Sequence, residues 1–161
     1  VVTLAKALGG GMPVGAMLIG ERAENTFQFG SHGSTFGGNP IACAVAYEAL
    51  NIRKTPHIAD NIRARHKQLV AALKDINKTH HIFAEIRGRG LMIGAELEEA
   101  WHGKAGEIGE MARKHGVLIL QAGPNVLRFL PPLTITEKEM KEGITRLKRA
   151  IWAYLAQGKT A

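Results

Sequence analysis

Three sets of side chains in this 161-residue sequence have types and spacing that could do chemistry. The first is Lys6, alone in Thr3-Leu-Ala-Lys-Ala-Leu-Gly-Gly-Gly11, with apolar neighbours on both sides and three glycines after it. A lysine drawn into apolar surroundings loses hydration, which favours its neutral amine. Such an amine is a nucleophile for a carbonyl carbon and forms a Schiff base with it. The glycines let the backbone take left-handed angles and come close to a bulky group. The competing reading is a strand-end lysine with a buried stem and its head in water. The second set lies in Gly30-Ser-His-Gly-Ser-Thr-Phe-Gly-Gly-Asn-Pro40. Ser34 and Thr35 offer hydroxyls, the glycines bare their N–H groups, and a helix N-terminus follows, all ingredients of an anion or phosphate site. A surface turn of small residues is the alternative. The third is Arg128, which interrupts the apolar run Val126-Leu-Arg-Phe-Leu130 just before Pro131-Pro132. A guanidinium there can grip a carboxylate or phosphate bidentately; otherwise it is an edge-strand arginine facing water.

Other patterns carry less. Gly88-x-Gly90 with Gly94 lacks the spacing and the following helix of a dinucleotide fingerprint and reads as a tight hairpin. No Gly-Lys-Ser/Thr follows a glycine run, and neither Ser31 nor Ser34 stands in a Gly-x-Ser-x-Gly elbow. The seven histidines show no metal-ligand spacing, so no metal is expected. The single cysteine, Cys43, sits in the apolar run Ile41-Ala-Cys-Ala-Val-Ala46 and reads as a buried, inert thiol.

The elements that must position these groups follow from the hydrophobic pattern. Val1–Leu8 reads as a strand or strand end heading into the interior. Val14–Ile19, within Pro13–Gly20, reads as a second strand covered on both faces. A glycine- and serine-rich loop, Phe27–Asn39, ends in Asn39-Pro40, a helix N-cap followed by proline at the first helical position. The helix after it runs to about Arg53. Thr55-Pro56 is a break and a candidate domain boundary, with one domain over 1–56 and another over 57–161. A long amphipathic helix then carries Ile58, Ile62, Leu69, Leu73 and Ile76 on one stripe. Strands are expected over Ile82–Arg87 and Leu91–Leu97, then a helix over Lys104–His115 stopped by Gly116. Further strands are expected over Val117–Gln121 and Val126–Leu130. Thr136 and Glu139 form a capping box for a final helix whose apolar face is Met140, Ile144, Leu147, Ile151 and Leu155.

Composition narrows the function classes. With 45% hydrophobic residues the chain can build a packed core. No apolar run nears the roughly 20 residues of a membrane span. The net charge of +7 comes mostly from residue 57 onward, where 17 basic and 11 acidic side chains alternate. That mixture reads as solvated helix faces rather than a nucleic-acid platform, the non-catalytic alternative. One cysteine excludes an internal disulfide and fits a reducing cytosol, so the expected location is cytoplasmic.

Taken together, the Lys6 segment with Met12-Pro13, the Gly30–Pro40 loop, Arg87-Gly-Arg-Gly-Leu-Met-Ile-Gly94 and Arg128-Phe-Leu-Pro-Pro-Leu133 resemble class III pyridoxal-phosphate aminotransferases. Gly30-Ser-His-Gly-Ser-Thr35 and Ala122-Gly-Pro-Asn-Val-Leu-Arg-Phe129 are most similar to the acetylornithine and succinylornithine branch. The resemblance implies an α/β fold: the C-terminal part of a fold-type I transferase, with the end of a large-domain sheet (1–56) plus a small α+β domain (57–161). It implies pyridoxal 5′-phosphate held by Lys6, with Lys6 also the acid and base of a proton shift. Thr35 would bond the cofactor phosphate across a homodimer interface, Ser34 would sit beside substrate, and Arg128 would bind the α-carboxylate. The implied reaction moves the δ-amine of acetylornithine or succinylornithine to 2-oxoglutarate, in arginine metabolism, biosynthetic or catabolic. Ornithine or 4-aminobutyrate are the alternative donors. The resemblance spans roughly the last two-fifths of such an enzyme. Val1 reads as a start within a strand, so these residues are expected to be a fragment that is inactive alone.

Overall fold

The computed structural model describes residues 1–157, and the chain divides into two compact units, Val1–Pro56 and a second beginning at His57. In the first unit β1 (Val2–Leu4) and β2 (Ala16–Leu18) pair antiparallel, Val2 opposite Leu18 and Leu4 opposite Ala16. A 3-10 turn (Lys6–Gly9) follows β1, and a second 3-10 segment spans Glu21–Thr26. Helix α1 (Pro40–Lys54) starts where the sequence places it. Asn39 Oδ1 accepts from Ala42 N–H at 2.9 Å, and its Nδ2 donates to Phe36 O at 3.0 Å. Proline costs nothing at the first helical position, where its missing N–H would have had no partner. The helix ends at Thr55, whose N–H and hydroxyl both donate to Ile52 O.

Burial in this unit departs from expectation. Leu8, Ala42 and Ala46 are buried, but Val1, Val2, Leu4, Met17 and Leu18 are exposed. The ribbon is three residues wide on each side, and α1 packs against the Lys6–Gly9 turn rather than over the strands. Neither strand is therefore covered on both faces within this unit. Cys43 is exposed, not buried, because α1 turns Ala42 and Ala46 inward, one helical turn apart.

The second unit has a closed core. Helix α2 (Pro56–His80), β3 (Phe83–Arg89), β4 (Met92–Leu97), α3 (Ala105–Lys114), β5 (Leu120–Gln121), β6 (Val126–Phe129) and α4 (Glu137–Gln157) follow in order. The strands form one antiparallel sheet in the order β3-β4-β6-β5. Alternation places Ile93, Ala95 and Leu97 of β4 and Leu127 and Phe129 of β6 in the core. Leu69, Leu73 and Ile76 of α2, Ile108 of α3, and Met140, Leu147 and Ile151 of α4 meet them there. Each of these side chains other than Ala95 contributes about 1.5–3 kcal/mol of burial.

Local signals set the boundaries. His81, at φ 47°, ends α2, its N–H donating to Asn77 O at 2.8 Å. Asn77 then clamps Phe83 through both its N–H and its carbonyl, each at 2.7 Å. Gly116, at φ 78°, stops α3. Thr136 N–H donates to Glu139 Oε2 at 2.8 Å, and Glu139 N–H donates to Thr136 Oγ1 at 3.2 Å, the reciprocal capping box. The strand expected over Val117–Gln121 shrinks to two residues. It pairs only with β6, and Val117 and Ile119 turn to pack against the core instead.

Candidate active site

Lys6 begins the turn after β1 with its backbone at φ 51°, a left-handed angle for a residue with a Cβ. Ala5 before it is extended. Leu8 N–H to Ala5 O at 3.0 Å, Gly10 N–H to Ala7 O at 3.3 Å and Met12 N–H to Gly9 O at 2.9 Å wind the segment tightly. Of the three glycines, Gly9 is required by packing: a Cβ there would lie 2.6 Å from Val14 Cγ1. Gly10 takes φ 57°, which the tight winding demands.

The lysine side chain is exposed, which corrects the expected interior placement. It lines a shallow hollow with Gly10, Gly11, Met12, Pro13 and Val14. Pro13 and Val14 also line the adjoining hollow, to which His32, Ser34, Asn39 and Cys43 contribute. The fold thus brings Lys6 and Ser34 onto neighbouring surfaces of the first unit. Thr35 is exposed beside Ser34. Among the described residues, neither the Lys6 amine nor the Ser34 and Thr35 hydroxyls have a hydrogen-bond or ion-pair partner. The loop itself is pinned from within: Gln28 N–H donates to Ser31 Oγ at 3.0 Å and Gly37 N–H to Ser34 O at 3.4 Å.

Arg128 belongs to the second unit. β6 lies between β4 and β5, so this is an inner-strand arginine and not the edge-strand alternative. Gly94 stands opposite it on one side and Leu120 on the other. Its Nε is buried without a hydrogen-bond partner, and no carboxylate pairs with it among the described residues. It lines a cavity of about 310 Å³ together with Leu69, Ile119, Phe129, Pro131 and Ile135.

A second arginine on the same row behaves differently. Arg87 pairs with Gly94 from the other side, across from Arg128. Its Nη1 donates to Glu96 Oε2 and to Glu85 Oε2. Those two carboxylates, Glu96 foremost, hold its pKa above the ordinary arginine value. Arg87 is thus paired with carboxylates inside the unit, whereas no carboxylate pairs with Arg128 among the described residues. The sequence pattern carries this distinction only through the pairing of β3, β4 and β6, which local motifs do not encode.

A family model described as Aminotransferase class-III matches residues 1–151, and the chain belongs to that family. The acetylornithine aminotransferase of Xanthomonas campestris pv. campestris is 54% identical over 157 residues, covering 98% of this chain and 38% of that relative. The succinylornithine transaminase of Yersinia pseudotuberculosis is 49% identical over 151 residues, covering 94% of this chain and 36% of the relative. Among solved structures, the N-acetylornithine aminotransferase of Stenotrophomonas maltophilia superposes with a TM-score of 0.84 at 47% identity. It is matched over 96% of this chain and 40% of its own. The ornithine aminotransferase of Toxoplasma gondii superposes with a TM-score of 0.86 at 32% identity, over 96% and 37%. The chain therefore spans 38% of the length of the first of these relatives, and its mixed α/β architecture is theirs over that span.

Proposed function

We propose that these residues are the lysine-bearing part of an aminotransferase that moves the δ-amino group of N-acetylornithine or N-succinylornithine to 2-oxoglutarate with pyridoxal 5′-phosphate. The 54% identity to an acetylornithine aminotransferase across nearly the whole chain carries the reading. The donor set fits the cofactor: an amine without an ion-pair partner among the described residues suits its carbonyl carbon, and two hydroxyls without partners among them suit its phosphate. When bound, the cofactor supplies an electron sink for charge developing at the carbon that bears the amine.

This chain's residues divide the remaining work. Lys6 Nζ is the covalent anchor and then the group that takes and returns the substrate proton. Thr35 Oγ1 donates to the phosphate, in a homodimer to that of the neighbouring subunit. Ser34 borders the substrate. Arg128 grips the α-carboxylate of donor and acceptor in turn, which keeps both in one orientation. On this reading residues 1–56 end the large domain and residues 57–161 form the small one. The enzyme serves arginine metabolism, in the cytoplasm. The likeness to the Toxoplasma gondii ornithine aminotransferase, at TM-score 0.86, supports ornithine as a second candidate donor.

The test is a chimera in which residues 1–161 replace the matching region of the Xanthomonas campestris relative. Turnover of acetylornithine should exceed that of ornithine and 4-aminobutyrate. Lys6→Ala should lower turnover about 10³-fold and abolish borohydride fixation of the cofactor. A chimera whose Lys6→Ala variant still turns over at the parent rate would refute the assignment.

A further inference from the structure

We infer that Asn61 is a positioning residue for Arg128, acting through the connection that leads out of β6; the inference rests on the proposed role of Arg128 in gripping substrate carboxylate. β6 ends at Phe129 and α4 begins at Glu137. Pro131 and Pro132 between them have no N–H to offer, so the segment cannot continue the sheet ladder. A turn bond from Ile135 N–H to Pro132 O at 3.0 Å closes it on itself.

What ties that turn to the rest of the unit is α2. Asn61 Nδ2 donates to Leu133 O at 2.8 Å and to Ile135 O at 3.1 Å. One side-chain amide thus holds two carbonyls more than 70 residues away in sequence. Arg65 and Gln68, four and seven residues further along α2, lie on the same helix face. Arg65 reaches Glu137 Oε2 at 3.7 Å, and its side chain is only 12% exposed. Gln68 Nε2 donates to Glu137 O at 3.3 Å. The three polar residues all have their targets within Leu133–Glu137, whereas His66 and Asn77, also half-buried on α2, bond to Gly90 and Phe83.

The held segment and Arg128 share a cavity. Leu130, Pro131, Pro132 and Ile135 supply part of the wall that Arg128 also lines. Arg128 stands two residues before Leu130, and no carboxylate fixes its guanidinium among the described residues. Packing of that wall therefore sets the orientation of the guanidinium. Releasing the wall lets the guanidinium sample poses that meet a carboxylate less often, which weakens substrate binding and leaves the chemistry at Lys6 alone.

Two measurements test this. In the 161-residue chain, Asn61→Ala should lower the hydrogen-exchange protection of the Ile135 amide about tenfold while Leu73 and Ile93 keep theirs. Asn61→Asp, isosteric but without the donor, should match the alanine variant. In the chimera described above, both variants should raise KM for acetylornithine and for 2-oxoglutarate about fivefold, with kcat within about twofold. Arg128→Ala, run alongside, should raise both KM values further. If Arg128→Ala raises KM and the Asn61 variants do not, the positioning role is overturned and the carboxylate site stands. If Arg128→Ala leaves both KM values unchanged, the site reading falls and the positioning role with it. Unchanged Ile135 protection overturns the positioning role by itself.

Discussion

Gly88 offers the sharpest test of the second unit. It sits in the β3–β4 hairpin at φ +151°, and a Cβ placed there would lie 2.2 Å from Met92 O and 2.8 Å from Ile93 Cα. Both are backbone atoms of the partner strand, so no rotamer change relieves the clash. The backbone angle costs an alanine about 1–3 kcal/mol, and forcing the strands apart costs about 1–3 kcal/mol more. Gly88→Ala should therefore lose about 4 kcal/mol, a large share of the ~5–15 kcal/mol that holds a typical domain. Gly90, two residues on, is the internal control. Its φ is also positive, at +57°, but a Cβ there would meet only Ile62 Cγ2, at 3.5 Å. Gly90→Ala should cost about 1 kcal/mol, the left-handed penalty alone. Urea unfolding of the chain, followed by the fluorescence of Trp101 and Trp152, should separate the two midpoints by about 2 M for a slope near 1.5 kcal/mol/M. Equal midpoints for the two variants, or a Gly88→Ala midpoint at the wild-type value, would refute the packing argument.

Three further outcomes follow from the same unit. Ile93→Ala should cost about 2–5 kcal/mol because Ile93 is fully buried at the sheet centre, whereas Met92→Ala, exposed on the opposite face, should stay within about 0.5 kcal/mol of wild type; thermal unfolding compares them. Hydrogen bonds from Thr136 hold the Glu139 carboxyl below its usual pKa. Its contribution is therefore present above the unfolded-state pKa, near the ordinary 4.5, and is lost as pH falls through the lowered value; Glu139→Gln should flatten that acid flank in a pH series of melts. Burial foremost, then Glu107, pushes the Tyr154 hydroxyl up to about 12. Its contribution is present below the ordinary 10.0 and is lost as pH rises through about 12, so Tyr154→Phe should remove part of the alkaline loss of stability over that window.

How much was legible in the sequence differs between the two units. In the second, the helical period of Ile58, Leu69, Leu73 and Ile76 and of Met140, Leu147 and Ile151 marked the inward faces. Asn39-Pro40 and Thr136 with Glu139 marked helix starts because capping is a matter of neighbours in sequence. Burial in the first unit was not legible. The apolar residues Val1, Val2, Leu4, Met17 and Leu18 state a preference for burial, yet all five are exposed in this unit. The contrast between Arg87 and Arg128 rests on strand register. The grip of Asn61 on Leu133 and Ile135 joins α2 to a turn beyond β6. No local window contains either relation. The left-handed backbone at Lys6 was also unforeseen, since the glycines beside it were the expected carriers of such angles.

That last feature has an evolutionary side. At φ 51°, position 6 is one that conformational preference alone would give to glycine, and glycines stand at 9, 10 and 11 within the same turn. A lysine there gives up about 1 kcal/mol that a single codon change toward a smaller residue could recover. Neutral drift would erode such a residue, so under the role proposed for Lys6 it is the work of the amine that offsets the strain. In this family's diverging sequences, a glycine or asparagine at this position would then be the expected mark of a lineage that has kept the fold and abandoned the reaction.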